Sequence, residues 1–246
     1  MIGTLINVVA ILIGGGLGIF FGARLPEQLK KTVISGMGLF VLAIGVQMFL
    51  KTGNALIVLG ALLIGAILGE WWRIEEGIEA LGGWLERKFT RGDGSASSGS
   101  SSRGDFAPHG DFVRGFLSAS LLFCTGPMAI LGSVSDGLRG DYLTLSIKSV
   151  LDGFAAIAFS STLGVGVLFA AIPVFVYQGG ISLLAHQLSA VLSDAMINEM
   201  TAAGGVLLMG LSISSLLEIK KVRVGNFLPA LAVAPLIVYI LSLFGK

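Results

Sequence analysis

Eight apolar segments run through this sequence, and their length constrains the chain to a membrane. A hydrocarbon core of about 30 Å requires about 20 apolar residues in each crossing helix. The chain has 246 residues, of which 54% are hydrophobic and 13% charged, with a mean hydropathy of +0.89. Soluble domains carry about 25% charged residues. We therefore predict an all-α, polytopic membrane helix bundle with eight crossings: Ile2–Phe21, Val33–Leu50, Ala55–Gly69, Phe112–Gly137, Tyr142–Thr162, Leu163–Leu184, Ala202–Leu217 and Asn226–Phe244.

The charge balance and the cysteine content exclude several classes of protein. Sixteen basic and fifteen acidic residues give a net charge of +1, which does not favour nucleic acid as a partner. Cys124 is the only cysteine, so neither a disulfide nor a cysteine-based zinc site can form within one chain. The sequence carries no HExxH, GxSxG or GxxxxGK motif. We therefore expect no enzyme activity, no catalytic residue, no cofactor and no metal.

Composition divides this single membrane domain, residues 1–246, into consecutive parts. Residues 1–69 and 163–246 are predicted as two blocks of three helices each. Residues 70–89 place apolar residues at helical spacing among glutamates, which indicates an amphipathic interfacial helix. Residues 90–110 are rich in Ser and Gly and are predicted as a flexible linker. Residues 111–162 hold a central broken helix and a charged helix.

The two three-helix blocks share an outline that predicts an inverted repeat. SGMGLFVLAIGVQ at residues 35–47 aligns with AAGGVLLMGLSIS at residues 202–214, and Asn54 and Asn226 open the last span of each block. Five crossings separate the starts of the two blocks. The blocks would therefore be inverted in the membrane, an arrangement common in transporters.

The fourth apolar segment contains a Gly-Pro break near its middle, in FCTGPMAILGS at residues 123–133. Proline has no N–H, so at least one backbone acceptor is released at membrane depth, where irregular backbone survives only if protein buries it or water reaches it. Carbonyls before the break would hold a cation, and N–H groups after it would face an anion. The residues that we predict for this part of a site are Phe123, Cys124, Thr125, Gly126, Pro127 and Met128.

The fifth apolar segment carries two charges, in a place where charge is costly and usually functional. Lys148 and Asp152 are four residues apart and therefore share one helix face, with Asp152 about 15 Å along the axis and close to the midplane. Ser149 begins an adjoining stripe of small residues that lets another helix or a pore come close. Asn7 and Gln47, in the first two spans, are additional candidates. For Asn7 the alternative is a structural hydrogen bond to the backbone of a neighbouring helix.

The distribution of basic residues predicts the orientation of the chain. If the N-terminus lies outside, eight crossings place twelve of the sixteen basic residues inside, which fits the positive-inside rule. Both termini are then outside, and the connection with Asp194 and Glu199 faces outward. A hairpin in the fourth segment would put Lys220, Lys221 and Arg223 outside. We therefore predict that the broken helix crosses.

Irregular backbone and charge at one depth predict a transporter or channel for an ion or small polar solute. Its midplane site would combine the broken helix with the face that carries Lys148 and Asp152. The alternative is a non-transporting oligomeric membrane scaffold or sensor, in which the contact between these two residues is structural. Both functions imply that the protein lies in a lipid bilayer. Both also imply a homo-oligomer, because several spans carry glycine seams.

The central motifs also resemble a known family. FCTGPMAILGS, followed by DGLRGD at residues 136–141 and KSVLDG at residues 148–153, resembles the bacterial inner-membrane family known as domain of unknown function 554, which includes the YqgA-like and YdfK-like proteins. The resemblance covers nearly the whole chain. It implies a multi-pass protein of the bacterial cytoplasmic (inner) membrane, and it carries over neither a substrate nor a catalytic residue.

Overall fold

A computed structural model describes residues 1–22, 24–78, 80, 84, 110–124 and 126–244. Every regular element in these ranges is helical, as predicted, because a chain in lipid must satisfy its backbone hydrogen bonds internally. A π-helical segment, Ser212–Leu216, extends the tenth helix, and a 3₁₀ turn, Val224–Phe227, precedes the last one. The α-helices are α1 (Ile2–Gly22), α2 (Glu27–Phe49), α3 (Ala55–Trp71), α4 (Gly110–Cys124), α5 (Pro127–Arg139), α6 (Leu143–Leu163), α7 (Gly166–Phe169), α8 (Ala171–Leu183), α9 (Ala185–Val191), α10 (Asp194–Leu211) and α11 (Ala230–Phe244).

The helix lengths confirm a multi-pass membrane protein. Six helical stretches in the described ranges are long and apolar enough to cross a bilayer, and the pair α4 and α5, bent by 59°, adds a seventh. Helix α3 is apolar but has only 17 residues. The eighth crossing, which α3 would supply, stays a prediction.

Helices α1 and α6 form the most extensive helix pair of the bundle, and they run parallel. Gly3 packs against Leu145 near the start of both helices, and Gly18 packs against Ile157 further along. A Cβ on Gly14 would overlap the backbone of α6. Only glycine permits this approach, which is the packing that small residues provide in membranes.

Helices α2 and α10 pack antiparallel through a second close contact. Gly45 and Gly205 meet backbone to backbone, and the hydroxyl of Ser212 donates to the carbonyl of Gly38 at 2.6 Å. The repeat alignment pairs Gly38 with Gly205 and Gly45 with Ser212. If each residue is replaced by its aligned partner, the contact between Gly45 and Gly205 becomes the contact between Ser212 and Gly38. A two-fold axis between the helices would have this effect, although the inverted repeat itself stays a prediction.

The bundle has two ends, which we call the Lys51 end and the Arg114 end. The Lys51 end holds the starts of α1, α6 and α10, and α11 also finishes there because it packs antiparallel to α3. Helix α4 begins at the Arg114 end, and α5 finishes at the Lys51 end, where Gly137 packs on Ser182. The broken pair thus connects the two ends, which favours a crossing over a hairpin. Basic residues at the Arg114 end are Arg24, Lys30, Lys31, Arg73, Arg114, Lys220, Lys221 and Arg223.

The polar segments differ from the predictions. We predicted that the seventh span begins at Ala202, but α10 already begins at Asp194, capped by the Ser193 side chain, which accepts from the Met196 N–H at 3.3 Å. Glu199 lies in the first part of α10, at the Lys51 end of the bundle. It is 3% exposed and accepts hydrogen bonds from the turn between α2 and α3.

Nearly half of the predicted interfacial helix and nearly all of the predicted linker fall outside the described residues. Residues 74–78 of the predicted interfacial helix are helical. Residues 79, 81–83 and 85–109, which include nearly all of the predicted linker, are not described. Gly110, the last residue of that linker prediction, begins α4.

Candidate functional site

Lys148 and Asp152 lie one turn apart on α6 and form an ion pair inside the bundle. Lys148 is 5% exposed and Asp152 7%, and the Nζ atom of the lysine contacts Oδ2 of the aspartate. The ring of Phe123, which is fully buried, lies 5.9 Å from the same Nζ atom and adds a cation–π contact. Because a buried charge is tolerated when it is paired, each residue of the pair stabilises the other.

Asn7 on α1 and Gln178 on α8 extend the ion pair into a chain of polar side chains. The Nδ2 atom of Asn7 donates to Oδ2 of Asp152 at 2.9 Å and to Oε1 of Gln178 at 3.2 Å. Both amides are 0% exposed. Asn7 therefore bonds side chains, not the backbone of a neighbouring helix. The parallel packing of α1 on α6 brings it beside Asp152.

The Gly-Pro break joins two separate helices. Gly126 caps α5 in an extended conformation, with φ −76° and ψ 146°, and its carbonyl accepts from the N–H of Ala129 at 3.0 Å. Pro127 begins α5, a position where a helix needs no N–H from its first residue. Cys124 ends α4, half-buried against the core. Thr125 lies outside the described residues.

A cavity of about 610 Å³ lies between α2, the break and α6. It follows α2 from Met37 to Lys51, a length of about 21 Å at 1.5 Å per residue. Lys51 is exposed, so the cavity reaches the Lys51 end of the bundle, while Phe40 and Phe154, 62% and 69% exposed, form part of its apolar rim. The predicted site residues that line it are Gln47, Gly126, Met128, Lys148 and Asp152.

The sequence predictions did not identify every buried polar residue of the bundle. The hydroxyl of Ser149 donates to the carbonyl of Leu145 at 2.7 Å, so this predicted site residue satisfies its own helix. Gln178 was missed, although an amide inside an apolar span was a usable signal. Asp136 was also missed. It lies near the end of α5, is 3% exposed, and its Oδ2 accepts from the Gly3 N–H at 3.1 Å.

The cavity wall is mostly apolar and carries one paired cation and anion, Lys148 and Asp152. If the pair opened, the Lys148 ammonium would bind an anion and the Asp152 carboxylate a cation. Lys51 adds a second positive group at the mouth. Among the residues that the structure describes, no three His, Cys, Asp or Glu side chains are grouped as a metal ion would require.

Comparison with known proteins identifies the family. Residues 2–239 match the family described as "Protein of unknown function (DUF554)". The chain is 29% identical to "Uncharacterized membrane protein YdfK" of Bacillus subtilis (strain 168) over 249 residues, covering 100% of this chain and 99% of the relative. It is 30% identical to "Uncharacterized protein YqgA" of Escherichia coli (strain K12) over 234 residues, covering 95% and 94%. No solved structure matches. The resemblance predicted from the central motifs is confirmed, and this multi-pass membrane protein belongs to the DUF554 family.

Proposed function

We propose that this protein is a transporter or channel for an ion or small polar solute, and that the solute passes through the cavity beside Lys148 and Asp152. One observation carries the proposal: a buried ion pair lies in the wall of a cavity about 21 Å long. That length is about two thirds of a hydrocarbon core. Ionisable residues at such depth usually mark the path of an ion or solute.

The helix break supports the same site. Gly126 and Met128, at the start of α5, line the cavity together with the ion pair. Discontinuous helices near the midplane form the substrate sites of many transporters, because a helix start presents N–H groups to a solute. The two contacts between α2 and α10 are related by the repeat alignment, which is also what an inverted repeat would produce.

The distribution of charge supports an orientation. Most described basic residues lie at the Arg114 end, while Lys51 and Arg139 lie at the other. The positive-inside rule then makes the Arg114 end cytoplasmic. The start of α1 and the end of α11 share the Lys51 end, so we propose that both termini lie outside a bacterial cytoplasmic (inner) membrane.

A scaffold or sensor is the second candidate, and the closed polar network favours it. Asp152 bonds both Lys148 and Asn7, as a structural contact would. The glycines from which we predicted an oligomer are largely used within the chain, since Gly14 packs on α6 and Gly45 packs on α10. A homo-oligomer therefore stays a prediction without added support.

Flux in proteoliposomes tests the proposal. A thermal-shift screen of ions and small polar solutes on purified protein would select the probes, because a bound ligand raises the apparent stability. Asp152→Asn and Lys148→Met should abolish flux of the selected solutes. Lys31→Met, an exposed lysine at the opposite end of α2, should keep it. Unchanged flux in both site variants across the whole panel would refute the site.

A further inference from the structure

A second group of buried polar residues lies between α1, α5 and α8, next to the ion pair. Each helix contributes two residues, one nearer the Lys51 end and one deeper in the bundle. In the list below, the residue nearer the Lys51 end is named first for each helix. We call this group the polar column, and all of its members are 5% exposed or less. The polar column consists of Thr4 and Asn7 on α1, Asp136 and Ser133 on α5, and Ser182 and Gln178 on α8.

Hydrogen bonds connect the three helices within the polar column. The N–H of Gly3, beside Thr4 in the chain, donates to Oδ2 of Asp136 at 3.1 Å. The hydroxyl of Ser182 donates to the carbonyl of Ser133 at 2.9 Å. Deeper in the bundle, the amides of Asn7 and Gln178 are 3.2 Å apart. The polar column therefore extends inward from the Lys51 end to the residue that contacts Asp152.

Four oxygen atoms of the column have no hydrogen-bond partner within the described chain. They are Oγ1 of Thr4, Oδ1 of Asn7, Oγ of Ser133 and Oδ1 of Asp136. All four belong to α1 and α5, two helices that meet at Gly3 and Asp136. Buried polar atoms are rarely left unpaired, because each one loses its contact with water without compensation.

The orientation of two groups leaves their oxygens available to a ligand. Asn7 must direct its Nδ2 atom at the Asp152 carboxylate, since the opposite orientation would put two acceptors together. Its Oδ1 atom therefore faces away from Asp152. The N-terminal ammonium of Met1 forms a salt bridge with Oδ2 of Asp136 at 3.1 Å, and the N–H of Gly3 donates to the same oxygen at 3.1 Å, which leaves Oδ1 as the unused oxygen of that carboxylate.

We propose that the polar column binds an alkali-metal cation between α1 and α5, held by these four oxygens. Carboxylate, amide and hydroxyl oxygens are the ligands that hard cations prefer. A monovalent ion adds less charge than a divalent ion to an apolar bundle that already holds Lys148 and, beside Asp136, the ammonium group of Met1. Because Asn7 contacts both the cation site and Asp152, a bound cation would order the amide that supports the cavity. The proposal does not depend on transport.

Thermal unfolding in different salts tests the proposal without any transport assay. Purified wild-type protein in detergent would be unfolded in choline chloride, NaCl and KCl at equal ionic strength. We expect NaCl or KCl to raise the Tm above its value in choline chloride, by about 5 °C or more at a hundred times the Kd. Thr4→Val and Asp136→Asn should lose this rise, and Thr4→Ser, which keeps the hydroxyl, should retain it. Equal Tm values in the three salts would overturn the proposal.

A matched control separates cation binding from general destabilisation. Thr201 on α10 is also fully buried with an unpaired Oγ1 atom among the described residues, but it lies outside the polar column. Thr201→Val should keep the full salt-dependent rise. Should Thr4→Val fail to fold, saturable binding of radioactive sodium or rubidium to the wild type decides the question. The absence of any saturable binding of both ions would refute the cation site.

Discussion

Replacing one member of the Lys148–Asp152 pair should destabilise the protein far more than replacing both. Lys148→Met leaves the Asp152 carboxylate with Asn7 as its remaining observed donor, and Asp152→Asn leaves a buried ammonium group without a counterion. The side chains are 6% and 9% exposed, so water offers little compensation. Breaking a buried pair from one side costs about 3–5 kcal/mol, whereas replacing both members is often nearly neutral. We expect these losses for the single variants and near-wild-type stability for the double variant.

Unfolding by SDS in mixed micelles, followed by tryptophan fluorescence, measures this difference. A loss of 3 kcal/mol changes the unfolding equilibrium by about 100-fold or more. Lys51→Met, at the exposed mouth of the cavity, is the control and should change stability by less than about 0.5 kcal/mol. Single variants as stable as the wild type would refute the buried pair. A double variant that loses the sum of the two single losses would show that the charges do not stabilise each other.

The same double variant separates the two candidate functions. If the pair belongs to a transport path, Lys148→Met combined with Asp152→Asn restores folding but not flux, because the charged groups that meet the solute are gone. If the pair is a structural contact in a scaffold, the double variant restores both folding and assembly. Stability, flux and oligomer size, measured on one preparation of the double variant, distinguish these two outcomes.

The helix contacts give two further predictions, both measured by unfolding in micelles. Gly14→Ala should lower stability by about 1–3 kcal/mol, because its Cβ would overlap the backbone of Gly153. A Cβ on Gly16 would meet no described atom of another helix within 4 Å, so Gly16→Ala should be neutral or stabilising by up to about 1 kcal/mol. Equal stability of the two variants would contradict the close packing of α1 on α6. Glu199→Ala should cost about 3 kcal/mol, since its carboxylate accepts three hydrogen bonds from the turn after α2. Asp194→Ala, at the exposed start of the same helix, should cost no more than about 1 kcal/mol. A loss as large as that of Glu199→Ala would show that the buried hydrogen bonds of Glu199 are not what stabilises the protein there.

The membrane class and the positions of most helices followed from sequence, because span length and hydropathy are local properties. The start of α10 did not follow. Its first turns carry Asp194 and Glu199, and because of their polarity we predicted a span that begins only at Ala202. Glu199 is buried because a distant turn supplies its donors, a contact that no local pattern reveals. Ser193, an N-cap residue directly before Asp194, was the local signal for the helix start.

The candidate site shows the same division between local and distant information. Four-residue spacing was sufficient to place Lys148 and Asp152 on one face. The contact of Asp152 with Asn7 depends on α1 packing parallel to α6, two helices more than 100 residues apart in the chain. Glycine seams were recognised in the sequence, but whether a seam faces another helix of the same chain or a second subunit depends on the tertiary arrangement. The contacts of Gly14 and Gly45 are intramolecular.

If a solute passes along the cavity, a group attached to the cavity wall should block its passage. Gln47 lines the cavity and is exposed, so Gln47→Cys in a Cys124→Ala background accepts a charged methanethiosulfonate reagent. Leu39→Cys, on a 60% exposed position of the same helix, is the control. We expect complete modification of Gln47→Cys to lower solute flux at least tenfold and treatment of Leu39→Cys to leave the flux unchanged. Full modification of Gln47→Cys, verified by mass spectrometry, with undiminished flux would show that no solute passes along the cavity.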